Sequence, residues 1–141
     1  MKESKEATIY PLLPEHIERM FRGKDVFCKY TGRGNPRIKE GSKLLFYASG
    51  SRFEICGEAT IRTIEFLTPE ETVGKYEKRL FITREELDNY RNQRDRPPEK
   101  KLMVLGLFGV KRYDKPRRTL KAVTMAGQTL SKSEYKELLS R

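Results

Sequence analysis

The 141-residue chain has no tryptophan, one histidine (His16) and two cysteines (Cys28 and Cys56). With one histidine there is almost no material for Ser-His or Cys-His chemistry. Two cysteines without a C-x-x-C spacing give no structural zinc motif. Both fall inside apolar strand patterns, where buried, reduced thiols are expected. His16 falls on a short predicted helix between Glu15 and Glu18, in a solvated or capping role. No apolar run approaches the roughly 20 residues that span a bilayer. Met1–Glu6 is polar and lacks the apolar core of a secretion signal. No metal, cofactor or membrane partner is therefore expected, and the simplest address is the cytoplasm. There is no internal repeat or low-complexity segment. Ser49-Gly50-Ser51 matches neither a P-loop nor a nucleophile elbow and reads as a turn.

What the chain does have is positive charge, unevenly placed. The net charge is +10, with 36% hydrophobic and 35% charged residues, the mix of a globular protein with a heavily charged surface. The length suits a single domain over residues 1–141. Residues 91–121 hold eleven Lys/Arg against three Asp/Glu, whereas residues 1–90 are nearly balanced. Such a concentration attracts polyanions and speeds their encounter, so nucleic acid is the expected partner. The plainer alternative is a solvated surface that keeps the protein soluble.

Gly41–Phe66 organises the pattern. Two β-rich runs flank the turn Ala48-Ser49-Gly50-Ser51-Arg52. In the second run Ile55, Gly57, Ala59 and Ile61 share one side, then the apolar parity flips to Ile64 and Phe66. A one-residue slip marks a bulge or bend, the device that curls a sheet. Gly57 leaves room for a close neighbour. Around this bent hairpin the spacing predicts a strand at Ala7–Tyr10 and a helix opened by Pro14 with Ile17, Met20 and Phe21 on one face. A strand follows over Asp25–Tyr30, then a loop over Thr31–Glu40. Capping boxes at Thr68–Glu71, Thr83–Glu86 and Ser131–Glu134 start three more helices. A short extended piece is expected at Arg79–Ile82 and a polar loop at Arg91–Lys101. The apolar run Lys101–Val110 is a central strand, Lys111–Arg118 a basic turn, and Leu120–Met125 the last strand. The order predicts an α+β fold, a small open β-barrel of about six strands with short helices between them and at the ends.

Four pieces of sequence resemble the PUA-like superfamily of small RNA-associated barrels, nearest its ASCH and EVE branches. They are Ile9-Tyr10-Pro11 ahead of a helix ending in Arg22-Gly23-Lys24; Gly41–Tyr47; Ile55–Ile61 with its apolar-x-Gly-x-Ala-x-Ile pattern; and Tyr113–Pro116. Within the superfamily the chain is similar to an uncharacterised prokaryotic, archaeal group. The resemblance implies an RNA-binding module that recognises structured RNA or a modified nucleotide through a basic patch beside the barrel mouth. It also implies the alternative of a small amidohydrolase acting on a modified nucleoside, with Lys24 standing for the catalytic lysine and Glu58 for the carboxylate. An aromatic cage for a base would draw on Tyr10, Tyr30, Tyr47 or Phe53.

The leading reading has no catalytic residue. Lys111, Arg112, Lys115, Arg117, Arg118 and Lys121 would meet phosphates, as the arginine fork can pair two oxygens at once. Arg33, Arg37 and Arg52 would extend the patch from other loops. Tyr47 and Tyr113 would stack on unpaired bases, unless they are half-buried core tyrosines. Oligomeric state is left open.

Overall fold

The computed structural model describes residues 5–31, 38–51, 53–119, 123–124 and 127–140. Strand β1 (Lys5–Leu12) leads into helix α1 (Pro14–Phe21), followed by β2 (Val26–Lys29), β3 (Lys43–Ala48) and β4 (Glu54–Leu67). Helices α2 (Pro69–Tyr76) and α3 (Arg84–Gln93) precede β5 (Leu102–Arg118), β6 (Gln128–Ser131) and α4 (Lys132–Ser140). The helices begin where local chemistry places them. Pro14 and Pro69 need no N–H in a first turn. The Thr68 and Thr83 hydroxyls accept from the Glu71 and Glu86 N–H, and those carboxylates accept from the threonine N–H in return. Ser131 and Glu134 do the same for α4. No helix among the described residues is long and apolar enough to cross a membrane.

The six strands form one mixed sheet in the order β2-β5-β4-β3-β1-β6, with β1 and β3 parallel and the other pairs antiparallel. With four helices this is the expected α+β architecture. The sheet is curled but not closed. Tyr10 of β1 stacks on Phe27 of β2 with ring centroids 5.8 Å apart, although three strands separate β1 from β2 in the sheet. The curl comes from the long β4–β5 pair, whose register shifts between Ile55 and Gly57, between Glu58 and Thr60, and between Ile61 and Thr63. The last shift falls at the parity flip read from the sequence: beyond it Ile64 packs on the larger core, whereas Phe66 is exposed. The first corrects that reading: Ile55 does not share a face with Ala59 and Ile61. It packs with Leu45, Tyr47 and Leu138 beneath α4, while Ala59 and Ile61 join the larger core under α1 and α3.

Two further expectations are corrected. Lys111–Arg118 is not a turn but the second half of β5. β2 pairs with β5 only as far as Gly106, so the later part of β5 pairs with a strand on one side only, where charge and Pro116 are tolerated. The residues between Arg112 and Arg117 bulge, since β4 advances only from Gly57 to Ile55 across that span. Among the described residues the last strand is β6, at Gln128–Ser131, and not the described part, Val123 and Thr124, of the expected Leu120–Met125 strand. Val123 and Thr124 belong to no strand, and residues 120–122 and 125–126 lie outside the described residues. The turn ahead of β6 requires Gly127, with φ +88°; a Cβ there would come within 2.4 Å of the Tyr10 ring.

Glu58 anchors α4 from within the sheet. Its carboxylate is buried and accepts from the Tyr113 hydroxyl at 2.8 Å and the Tyr135 hydroxyl at 2.6 Å, with Lys43 Nζ 3.8 Å away. Burial and the adjacent carboxylate push both tyrosine pKa values up, so both hydroxyls remain donors. Tyr135→Phe removes the one link of this set that comes from α4. It is expected to cost about 1–2 kcal/mol, read as a lower urea midpoint with an unchanged slope.

Candidate functional site

The unclosed seam between β1 and β2 opens into a cavity of about 410 Å³, covered by α1 and α3. Its walls are aromatic: Tyr10 from β1, Phe27 from β2, Phe81 from the α2–α3 connection, and Tyr90 from α3. His16, at the start of α1, meets the Phe81 ring edge-on at 5.4 Å and lies 3.4 Å from Glu86. Arg19 donates to both Glu86 oxygens, and this fork holds the Glu86 carboxyl down at about 2. Glu15, His16 and Glu86 bring three possible ligand atoms within 4.8 Å of one another. Because Arg19 and the Thr83 N–H already engage the Glu86 oxygens, the cluster is a helix-to-helix tie rather than a metal cradle.

Cations gather at the same seam. Lys29 Nζ sits 4.6 Å from the Tyr10 ring centroid, Arg94 lies over Tyr90 at 5.6 Å, and Arg96 over Tyr30 at 6.0 Å. The Tyr30 and Tyr90 rings are 5.2 Å apart, and the Tyr90 hydroxyl accepts the Tyr30 N–H at 3.0 Å. Each of the three tyrosine faces thus carries a positive group, a recurrent attraction between cation and ring quadrupole. Burial, with Arg94 adding repulsion, brings the Lys29 pKa down from 10.5 to about 8. Burial pushes Tyr10 up to about 12. The Tyr10 and Tyr30 hydroxyls are buried and have no hydrogen-bond partner among the described residues, an uncommon and costly state. The site therefore offers aromatic walls with positive groups beside them.

The residues singled out from the sequence are distributed differently. Arg33, Arg37, Arg52 and Lys121 lie outside the described residues. Lys111, Arg112, Lys115 and Arg118 are exposed along β5. Arg112 makes a two-pronged bond to Glu18 of α1, at 2.8 Å on each arm, and covers the Phe21 ring at 4.2 Å. Arg117 is half-buried, 5.8 Å from the Tyr113 ring centroid and 3.2 Å from Asp114. Tyr47 and Tyr113 are buried in the cluster beneath α4 rather than presenting a ring face to solvent. Lys24 Nζ donates to the Lys78 carbonyl, while Glu58 is held by Tyr113, Tyr135 and Lys43, so the two groups have separate partners. Of the aromatic-cage candidates, Tyr10 lines the seam cavity and Tyr30 packs on its Tyr90 wall.

Sequence reasoning missed Lys29, Tyr90, Arg94 and Arg96 as site residues. One signal was present: Tyr90 and Arg94 stand four apart on a capped helix and so share a face. A second lay in β2, where Phe27 and Lys29 alternate with Cys28 and so face the same way.

In its curl, seam and helical cover the fold resembles that of solved structures. The ASCH protein of Zymomonas mobilis superposes with a TM-score of 0.77 at 18% identity, over 97% of this chain and 96% of that one. The N-terminal domain of Staphylothermus marinus McrB gives a TM-score of 0.60 at 12% identity, over 100% and 98%. The chain belongs to the family described as a domain of unknown function, DUF365, which matches residues 5–132. An archaeal protein, the uncharacterized MJECS03 of Methanocaldococcus jannaschii, is 27% identical over 106 residues, covering 70% of this chain and 98% of that protein.

Proposed function

We propose that this chain is a single-domain cytoplasmic RNA-binding module that takes one unpaired nucleotide into the seam cavity. The carrying observation is a cavity lined by Tyr10, Phe27, Phe81, Tyr90 and Lys29, with Arg94 over the ring of its Tyr90 wall and Arg96 over the adjoining Tyr30 ring. A base is flat, apolar on its faces and polar on its edge, which matches a cavity lined by aromatic side chains with Lys29 as an edge or phosphate donor. Arg94 and Arg96 receive the backbone. Lys111, Lys115 and Arg118 on β5 add long-range attraction to the rest of the chain of phosphates. The fold shared with ASCH and PUA-like proteins is consistent with this reading. Lys24 and Glu58, with their separate partners, give no support to a hydrolytic centre built on that pair.

The test is a titration of fluorescent single-stranded oligoribonucleotides between about 50 and 200 mM salt. Affinity is expected to fall steeply with salt, and Arg94→Ala with Arg96→Ala is expected to reduce the logarithmic salt slope by about 1–2 and to weaken all sequences alike. Binding that ignores both salt and the double substitution refutes the proposal.

A further inference from the structure

Among the described residues, Phe53 is a bulky side chain outside the seam whose placement at the rim the fold itself does not explain. It is 39% exposed, stands immediately before β4, and holds φ at +61°, a region that suits glycine and penalises an aromatic residue. Its carbonyl accepts the Thr119 N–H at 2.8 Å, which pins the backbone against the end of β5. A strained conformation of this kind persists only where the surrounding structure enforces it, and such positions concentrate at binding sites.

Its location follows from the strand order. The end of β1 lines the seam cavity, and the Ser49 N–H bonds to the Leu12 carbonyl, tying the end of β3 to it. β4 is next in the sheet and starts just after Phe53, and its first residue, Glu54, pairs with Arg118 of β5. Two strand spacings, about 10 Å, therefore separate Phe53 from the end of β1 along the same rim. Arg118 stands one strand farther on.

From this we infer that Phe53 is a second stacking platform, so that the ligand is a single-stranded segment and not a lone nucleotide or nucleoside. One base enters the seam, a neighbouring base lies on the Phe53 ring, and Arg118 faces the phosphates beyond it. The inference rests on the nucleotide-binding reading of the seam and adds the class of ligand to it. Stacking on an exposed ring is tolerant of base identity, so this platform supplies affinity without sequence choice.

Phe53→Gly gives the cleanest test, because glycine adopts the observed φ freely and removes only the ring. The variant is expected to melt within a few degrees of the parent protein. It is expected to bind 5′-mononucleotides with unchanged affinity and a six-nucleotide mixed-sequence oligoribonucleotide about tenfold more weakly. Phe53→Trp should keep the oligonucleotide affinity. If Phe53→Gly binds the six-mer as tightly as the parent, the platform is refuted while the seam reading stands. A parent protein that binds the six-mer no better than a mononucleotide refutes the platform in the same way. If the parent binds neither ligand, both readings fail together.

Discussion

Gly57→Ala is expected to lower the melting temperature by about 10 °C, the equivalent of about 3 kcal/mol in a domain of this size. A Cβ at Gly57 would lie 2.5 Å from the Lys111 carbonyl oxygen and 2.7 Å from the Phe21 ring. The first neighbour is backbone of the adjacent strand and cannot swing away. The second is boxed in, with Arg112 4.2 Å from its centroid and Phe46 meeting it edge-on at 5.9 Å. One methyl group therefore has to pry β4 from β5 or α1 from the sheet. Gly74→Ala is the matched control: it lies on the exposed face of α2, its Cβ would meet nothing within 4 Å, and it is expected to raise stability by about 0.5–1 kcal/mol. Thermal unfolding followed by circular dichroism separates the two. Equal effects would mean that β4 and β5 do not approach α1 as described.

Lys29→Met is expected to separate stability from binding. Methionine keeps much of the apolar stem and removes the charge. At pH 7 oligoribonucleotide affinity should fall at least tenfold, while the melting temperature holds or rises. The sign follows from the pKa. In the folded protein Lys29 loses its proton near pH 8, whereas the unfolded chain keeps it until about 10.5. Between those values the unfolded state binds more protons, so folding stability attributable to Lys29 increases with pH across that window. Below pH 8 both states are charged and the full cost of burying the ammonium is present, which the substitution relieves. Ligand contact needs the protonated form, so parent affinity should decline between pH 7 and 9 and that decline should vanish in Lys29→Met. Wild-type affinity in the variant at pH 7 would remove Lys29 from the site.

Local chemistry was the legible part of this chain. Thr68, Thr83 and Ser131 each carry an acidic residue three positions on, so the helix starts are written within four residues and need no tertiary information. The bend in β4 was legible for a similar reason, since a change of apolar parity within one strand has few other physical causes. Lys111–Arg118 failed as a turn because charge and proline are cues shared by turns and by strands with one unpaired side, and only the short reach of β2 tells them apart. The seam could not be read at all. Tyr10 and Phe27 are near in sequence, but that β2 returns to β1 through a curl spanning β5, β4 and β3 is a property of the whole sheet. Lys29 was hidden for the same reason: a lysine at the end of an apolar strand reads as a solvent-facing terminus until the opposite wall is known.

Pro11 sets a further limit on what can occupy the opening. Leu12 turns its carbonyl toward β3, where it takes the Ser49 N–H, so the backbone nitrogen of Pro11 points to the opposite side, past Ile9, the last residue paired with β6. A visiting polypeptide that tried to lengthen the sheet by annealing alongside β1 would find an imide there instead of an amide proton. Guests that dock through side-chain-like surfaces pass this checkpoint, while peptides that dock through their main chain do not. The same missing proton removes one donor that edge-to-edge pairing along β1 would need.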